Sequence, residues 1–231
     1  MISGLKVLAI VPARGGSKGI ARKNLRKVGG KPLIAWAIEA GHASRYIDRL
    51  ILSSEDAEII RVAEQWGCEV PFVRPAELAQ DDTPGIEPVV HAIEQVPDYE
   101  LIVLLQPTSP LRTTADIDGC IELCIAEGAK SCVSLCEVEQ HPAWMYKLDE
   151  QARMNPLLSG EPDYARRQDL PPVYMLNGAV YVAEREWLRR HRTFVAANTL
   201  GYVMPRERSL DIDQELDIKV CDEVLRKAAQ G

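Results

Sequence analysis

Hydrophobic residues along the chain follow two alternating patterns. Short continuous apolar runs, such as Lys6–Val11, are typical of strands buried on both faces of a sheet. Between them, apolar residues recur at helical spacing, as in Leu33–Ser44, where Pro32 precedes the first turn. Strands are predicted at Lys6–Val11, Arg49–Ser53, Glu69–Val73, Leu101–Leu105, Ser131–Cys136, Gly178–Ala183 and Gly201–Met204. Helices are predicted at Leu33–Ser44, Asp56–Trp66, Pro84–Gln95, Ala115–Glu127, Arg185–Arg190 and Gln214–Ala229.

This alternation predicts an α/β fold with three layers and a mostly parallel sheet joined by right-handed crossovers. In such sheets ligands bind at the carboxyl ends of the strands. The alternation of strands and helices stops over His141–Pro172, which contains prolines, charged residues and aromatic residues without clear helical periodicity. We interpret residues 1–231 as a single domain from which this stretch forms an excursion.

Composition narrows the class of protein. The chain has 231 residues, 46% of them hydrophobic and 26% charged, which suits one folded domain. No apolar stretch approaches the roughly 20 residues of a membrane span, and the apolar run near the start is too short for a signal peptide. The six cysteines contain no C-x-x-C pair. Buried reduced thiols therefore fit better than a metal site, and we expect a cytoplasmic protein.

A dense basic island, residues 14–31, stands out in a chain of formal charge −7. Its sequence, RGGSKGIARKNLRKVGGK, has seven cations and no acid, and it follows a buried strand. Glycines let backbone amides approach phosphate oxygens, and the cations balance their charge. The pattern favours a nucleoside triphosphate or a similar polyanion. The alternatives are a solvated face or a nucleic-acid patch, and the acidic remainder of the chain disfavours nucleic acid.

A second feature, Ser209–Asp213 (SLDID), precedes the last predicted helix. In extended backbone, Asp211 and Asp213 point the same way, roughly 6.8 Å apart. Such carboxylates suit Mg²⁺, which nucleotidyl transfer generally requires. The alternative is that Asp213 caps the helix that starts near Gln214.

Two further polar segments are candidate binding loops. Gln106–Arg112 (QPTSPLR) follows a buried strand and carries hydrogen-bonding side chains, although it would also fit a turn before a helix. Arg166–Gln168 precedes Tyr174–Ala179 (YMLNGA), and arginines suit carboxylates through their planar fork. A surface charge cluster is the alternative for this pair.

Taken together, IVPARGGSKGIARKNL, RPAELAQDDTP, LQPTSPLRT, RRQDLPP…NGAVYV and SLDIDQELD resemble the acylneuraminate cytidylyltransferases, or CMP–sialic acid synthetases. The resemblance covers nearly the whole chain. It implies a nucleotide-diphospho-sugar transferase-like (Rossmann-like) fold and the joining of CTP to a nine-carbon sugar acid, with release of pyrophosphate. It also implies Mg²⁺ as cofactor and a homodimer formed through an excursion, here 139–172.

The resemblance also assigns site residues by their match to the family's motifs. The implied nucleotide-binding residues are Arg14, Gly15, Ser17, Lys18, Lys23, Asn24, Arg74 and Asp81. The implied sugar-binding residues are Gln106, Thr108, Ser109, Arg112, Arg167, Gln168, Asn177 and Tyr181. The implied catalytic residues are Arg14, Lys18, Lys23, Asp211 and Asp213, of which the two aspartates would hold the metal.

Departures from the family's sequence pattern bear on which sugar acid the resemblance implies. Met175 and Leu176 stand where some sialic-acid members carry an arginine, which argues against N-acetylneuraminate itself. The segment SKGI resembles the sialic and legionaminic members of the family more than the pseudaminic ones. The alternatives are a 3-deoxy-octulosonate cytidylyltransferase, which NGAVYV and SLDIDQELD disfavour, and a non-catalytic nucleotide-binding regulatory module, which the intact basic loop and aspartates disfavour.

Overall fold

A six-stranded sheet forms the centre of the protein in a computed structural model, which describes residues 1–17, 19–158 and 166–228. The strands are β1 (Val7–Pro12), β2 (Lys27–Val28), β3 (Lys31–Pro32), β4 (Arg49–Ser53), β5 (Leu101–Leu104), β6 (Ser131–Glu137), β7 (Tyr146–Leu148), β8 (Met154–Pro156), β9 (Tyr174–Glu184) and β10 (Leu200–Val203). The α-helices are α1 (Leu33–His42), α2 (Ala57–Gln65), α3 (Glu87–Gln95), α4 (Thr114–Ala126), α5 (Arg185–His191) and α6 (Glu215–Ala228).

The order of the central sheet is β10-β6-β9-β5-β1-β4. Strand β9 runs antiparallel to its neighbours β5 and β6, and the other pairings in the sheet are parallel. The predicted α/β fold with a mostly parallel sheet is therefore confirmed.

The two faces of β1 show why its sequence is apolar throughout. Val7, Ala9 and Val11 pack into a core with α1, α2 and α4. Leu8 and Ile10 pack into a second core with α3 and α5. Each face of the sheet is thus covered by helices, which gives the predicted three layers.

One predicted strand, Glu69–Val73, is wrong. Glu69 makes only an isolated parallel bridge to Ile51. Pro71 has no N–H to donate to a ladder, and Val73 is exposed. The apolar residues of this stretch predict a strand, but the backbone does not continue the ladder beyond Glu69.

The excursion at 139–172 leaves the main sheet. Its described part contains the antiparallel hairpin of β7 and β8, and residues 159–165 lie outside the described ranges. The hairpin region exposes large apolar side chains, as does the start of β9. These side chains are Trp144, Met145, Tyr146, Leu148, Met154, Tyr174, Met175 and Leu176. An apolar surface of this kind is typical of an interaction face.

All six cysteines are free, buried thiols, as the sequence predicted. Within the described ranges, no helix is long and apolar enough to cross a membrane.

Candidate functional site

The topology of the sheet gathers the predicted loops at one edge. Parallel strands β1, β4 and β5 all end there, and antiparallel β9 begins near it, so the segments at Ala13, Glu55, Gln106 and Asn177 converge. A cleft of about 460 Å³ opens at this edge. Predicted site residues that line it are Arg14, Ser17, Lys23, Asn24, Arg74, Asp81, Gln106, Thr108 and Asp213.

Most described cations of the basic island pair with acids from distant elements. The pairs that anchor the island are Arg22 with Asp56 and Glu58, Arg26 with Glu215, and Lys31 with Glu39. Among the island's described cations, Arg14 and Lys23 line the cleft. Lys18, the third predicted catalytic cation, lies outside the described residues. The island therefore fixes a loop, and two of its described cations line the cleft.

One of these anchors is a bidentate ion pair between Arg22 and Asp56. Arg22 adopts a left-handed backbone conformation, with φ of 55°, and its guanidinium contacts both Asp56 oxygens, at 2.5 and 2.9 Å. Asp56 also caps α2 through the amides of Glu58 and Ile59. Hydrogen bonding from Arg22 lowers the pKa of Asp56 to about 2. The loop is thereby fastened to the start of α2.

Arg14 extends from the loop to the opposite wall of the cleft. Its guanidinium lies 2.8 Å from Asp81 and donates to the carbonyl of Ala79. The Asn24 side chain donates to the Arg14 carbonyl at 3.1 Å, which holds the loop in shape. Three predicted nucleotide-binding residues are thus connected to one another.

The amide of Gly15, predicted to face a phosphate, donates instead to the Glu55 carboxylate at 2.7 Å. Glu55 follows β4 and carries no signal in the sequence that would mark it. Its contact fixes the first turn of the loop.

Lys23 connects the loop to the far end of the chain. Its Nζ donates to the Ile212 carbonyl and to Asp213, both at 2.9 Å, and the side chain is only 17% exposed. Gly19 makes this approach possible, because a Cβ there would lie 2.4 Å from the Asp213 carbonyl oxygen. Loop and carboxylates therefore form one wall of the cleft.

The backbone around Ile212 directs both neighbouring aspartates outward. The Ile212 side chain is buried and its amide donates to the Thr108 carbonyl at 2.8 Å. Asp211 and Asp213 consequently face the other way and are exposed, as predicted for extended chain. Although Asp211 is open to solvent on one side, burial by the surrounding protein raises the pKa of its carboxyl. A hydrogen bond with Thr108 opposes this and the charge of Asp213 adds to it.

In the structure a different residue, Asp217, takes the capping role that the alternative gave to Asp213. Helix α6 starts at Glu215, and the Asp217 carboxylate accepts the amides of Asp213 and Gln214, at 2.9 and 2.7 Å. The Asp213 carboxylate itself contacts Lys23. Asp217 thus closes the first turn of α6.

The two aspartates fit a magnesium ion that is shared with a substrate. Both present hard carboxylate oxygens on one side of the backbone. Within residues 1–17, 19–158 and 166–228, no group of three or more His, Cys, Asp or Glu could hold a metal by itself. An ion at Asp211 and Asp213 would need phosphate oxygens and water as its remaining ligands.

A glycine marks the centre of the predicted sugar pocket. Gly178 has φ of +73°, a conformation that disfavours side chains. A Cβ there would lie 3.4 Å from Gln106 Oε1, 3.7 Å from Ser109 Oγ and 3.8 Å from Asp211 Oδ2. These are ordinary contact distances, so glycine is favoured here by its backbone conformation, and the Gln106 loop, β9 and Asp211 lie close to one another around it.

Three other residues predicted for the sugar pocket, Arg112, Asn177 and Tyr181, support the site through contacts within the protein. Arg112 is buried and donates to the carbonyls of Gln106 and Ala179, at 3.1 and 2.8 Å. Burial lowers the pKa of Arg112 to about 10. Asn177 is also buried, and burial raises the pKa of Tyr181, whose ring packs on Phe194.

Arg74 is likewise buried at the cleft floor, where it contacts the hydroxyl and the carbonyl of Ser53. Burial lowers the pKa of Arg74 to about 10. Arg167 and Gln168 lie on a short 3₁₀ helix, Arg167–Asp169, where Gln168 is exposed. Among the described side chains, that of Gln168 does not line the cleft, and the roles of Arg167 and Gln168 stay predictions.

The fold has counterparts among solved structures. The structure of CMP:2-keto-3-deoxy-manno-octonic acid synthetase complexed with CTP superimposes with a TM-score of 0.73, covering 97% of this chain and 99% of that one, at 15% identity. The likeness shows that the three-layer α/β fold is shared with that synthetase.

The cytidylyltransferase family profile matches residues 8–197, and the chain belongs to this family. It is 34% identical, over 92% of its length, to the N-acylneuraminate cytidylyltransferase of Streptococcus agalactiae serotype V. It is 35% identical to the pseudaminic acid cytidylyltransferase of Campylobacter jejuni, covering 94% of that protein, and 30% identical to the CMP-N,N'-diacetyllegionaminic acid synthase of Legionella pneumophila, covering 97%. The chain spans about half the length of the N-acylneuraminate cytidylyltransferases that it matches.

Proposed function

We propose that the protein is an enzyme that joins CTP to a nonulosonic acid, giving the CMP-sugar and pyrophosphate. One observation carries the proposal: the basic loop and the Asp211–Asp213 segment form one wall of a single cleft, connected through Lys23. Cations and carboxylates are thus adjacent where a triphosphate would bind. Membership of the cytidylyltransferase family supports the same reaction.

The reaction is an in-line displacement at the α-phosphorus of CTP. The anomeric hydroxyl of the sugar acid attacks, loses its proton, and pyrophosphate leaves. Arg14 and Lys23 contribute positive charge to the phosphates as negative charge redistributes. Arg74 and Asp81 border the nucleoside, and the Gln106 loop separates nucleotide from sugar.

Asp211 and Asp213 are the proposed ligands of Mg²⁺. When bound, the ion would neutralise phosphate charge. The raised pKa of Asp211 would also suit a residue that orients the attacking hydroxyl.

The sugar is proposed as a nine-carbon acid rather than one particular compound. Relatives named for N-acylneuraminate, legionaminic acid and pseudaminic acid match at similar identity, 34%, 30% and 35%. Identity alone does not discriminate among the three. The structural match to the octonic acid synthetase, at 15% identity, bears on the fold alone.

A cytoplasmic homodimer is the proposed state of the protein. The free thiols are consistent with a reducing compartment. The exposed apolar side chains of the β7–β8 hairpin support a dimer surface. Arg167 and Gln168, on the same excursion, would contribute to a sugar-acid pocket.

Pyrophosphate release tests the proposed function. The enzyme with CTP and Mg²⁺ is offered N-acetylneuraminate, legionaminate, pseudaminate and 3-deoxy-octulosonate in separate reactions. We expect release with a nonulosonate and little with the octulosonate. Release with the octulosonate alone, or with none of the four, would refute the proposal.

A further inference from the structure

An ion pair beneath the cleft joins α4 to the segment that carries the proposed metal ligands. Arg208 donates from Nη2 to Asp116 Oδ1 at 2.7 Å and from Nε to Oδ2 at 2.9 Å. Asp116 is fully buried in the first turn of α4. Arg208 ends the 3₁₀ helix Arg206–Arg208, three residues before Asp211. The pair therefore lies close behind the site without lining the cleft.

The Asp116 end of this pair is fixed by its own helix. Its Oδ2 accepts the amide and the hydroxyl of Thr113, at 2.9 and 2.7 Å, in a capping box. The buried guanidinium of Arg112 lies within the field of this carboxylate and holds the Gln106 loop to β9. Asp116 is thus a rigid anchor at the base of the cleft.

The Arg208 end belongs to a segment with little regular structure of its own. From Arg208 to Asp213 the segment is held by single hydrogen bonds from several elements, among them those of Lys23 Nζ with the Ile212 carbonyl and with Asp213. The Ser209 hydroxyl accepts from Asn177 at 2.9 Å, and the Ile212 amide donates to Thr108 at 2.8 Å. A bidentate guanidinium–carboxylate pair fixes orientation as well as distance, which a single hydrogen bond does not.

We propose that Asp116 and Arg208 are positioning residues that set the direction of the Asp211 and Asp213 carboxylates. The inference rests on the proposed function of these aspartates, since they must point into the cleft to share a metal ion with CTP. Residues that orient metal ligands change metal affinity and turnover without contacting substrate. The substrate affinity of the nucleotide loop should be much less sensitive to them.

Arg208→Lys tests the pair because it keeps the charge, and so a partner for buried Asp116, but removes the planar fork. Arg206→Lys is the matched control, on the same 3₁₀ helix, where Arg206 pairs with Glu139 at the surface. A second variant, Asp116→Asn, keeps the shape of the side chain and an acceptor for the Thr113 amide.

Binding of Mn²⁺ as a probe, measured by electron paramagnetic resonance with CTP present, is the first readout. kcat and KM for CTP are the second, and the thermal midpoint is the third. We expect Arg208→Lys and Asp116→Asn to weaken Mn²⁺ binding and lower kcat by about 10-fold or more, with KM for CTP changed by less than about 3-fold. Arg206→Lys should behave as wild type, and added Mg²⁺ should restore part of the lost turnover.

Two outcomes separate this inference from the proposed function. If wild type forms the CMP-sugar while both pair variants keep wild-type Mn²⁺ affinity and kcat, the pair is only structural and the inference fails. If wild type forms no CMP-sugar but binds Mn²⁺ in a CTP-dependent way that both variants weaken, the pair is supported and cytidylyl transfer is refuted. A lowered thermal midpoint with unchanged Mn²⁺ affinity counts against the inference.

Discussion

Lys23 shows how one side chain supports the architecture of the cleft and, under the proposed function, also takes part in its chemistry. Its ammonium group closes the gap between the basic loop and the Ile212–Asp213 backbone, 189 residues further along the chain. The side chain is mostly buried, and its Nζ donates hydrogen bonds to two oxygens. A cation held in this way is oriented before a substrate arrives.

Lys23→Ala should lower kcat by about 10²–10³, the effect of removing one preorganised group that stabilises developing charge. Lys27→Ala is the control, since Lys27 belongs to the same basic island but is exposed on β2. Steady-state pyrophosphate release measures both, and circular dichroism checks the fold. Equal turnover in the two variants would remove Lys23 from the active site.

At the scale of elements, two helix starts organise the cleft. The cap of α2, Asp56, holds the basic loop through Arg22, and the first turn of α6, through Asp217, holds the backbone of Asp213. Helix caps thus do more than end a helix here, because each also fixes a segment that faces the ligand. The sequence signalled Asp56 only as a helix start, and its partner Arg22 lies 34 residues away.

The first prediction about a helix start distinguishes helix capping from metal binding at the start of α6. Asp217→Ala should lower the free energy of unfolding by about 1 kcal/mol, because the amides of Asp213 and Gln214 lose their acceptor. Asp213→Asn should leave stability near wild type but require far more Mg²⁺ for turnover. Urea unfolding and Mg²⁺ titrations measure the two effects. Wild-type Mg²⁺ dependence in Asp213→Asn would contradict the metal assignment.

The second prediction about a helix start concerns the stability of the protein in acid. Because Arg22 lowers the pKa of Asp56 from 3.8 to about 2, the pair's contribution is present above pH 4 and disappears as pH falls towards 2. Asp56→Asn should cost about 1 kcal/mol at pH 7, since Arg22 is 40% exposed and water screens the pair. Asn still caps α2, so the difference isolates the charge.

Urea unfolding of wild type and Asp56→Asn across pH 2–7 checks this, with exposed Asp98→Asn as the control. We expect the two curves to converge near pH 2. A difference that stays constant down to pH 2 would show that the ion pair is not its source.

For the whole molecule, the hydrophobic pattern was sufficient to predict the layers and the bounds of some elements. Arg49–Ser53 matches β4, and Leu101–Leu105 differs from β5 by one residue. Glu69–Val73 failed because Pro71 interrupts the ladder. The alternation of Asp211 and Asp213 around Ile212 was also predictable, because a buried residue in extended chain directs both neighbours outward.

What the sequence could not reveal was how the charges would pair. The sequence favours the basic island as a set of cations for a polyanion, yet Arg26 pairs with Glu215 from the last helix. Such pairs depend on where tertiary folding brings remote segments. For the same reason the pair of Asp116 and Arg208, 92 residues apart, left no local signal.

The prediction for the whole molecule concerns its assembly into a homodimer. Leu148 and Met154 lie opposite each other on the hairpin and are 67% and 61% exposed. If this surface forms the homodimer, light scattering of wild type should give about twice 25.7 kDa, and Leu148→Glu with Met154→Glu should give a monomer. Val73→Glu, at a site 64% exposed elsewhere, should leave the mass unchanged. A wild-type monomer with full activity would contradict the dimer.

Transfer of the α-phosphate tests the central claim most directly. CTP labelled at its α-phosphate is incubated with Mg²⁺, a nonulosonic acid and the enzyme, and the products are separated. We predict that the label moves into the CMP-sugar, with one pyrophosphate formed per sugar, and that Asp211→Asn nearly abolishes the transfer. Label that stays in CTP with N-acetylneuraminate, legionaminate and pseudaminate alike, or that appears only in CMP or CDP, would contradict the account.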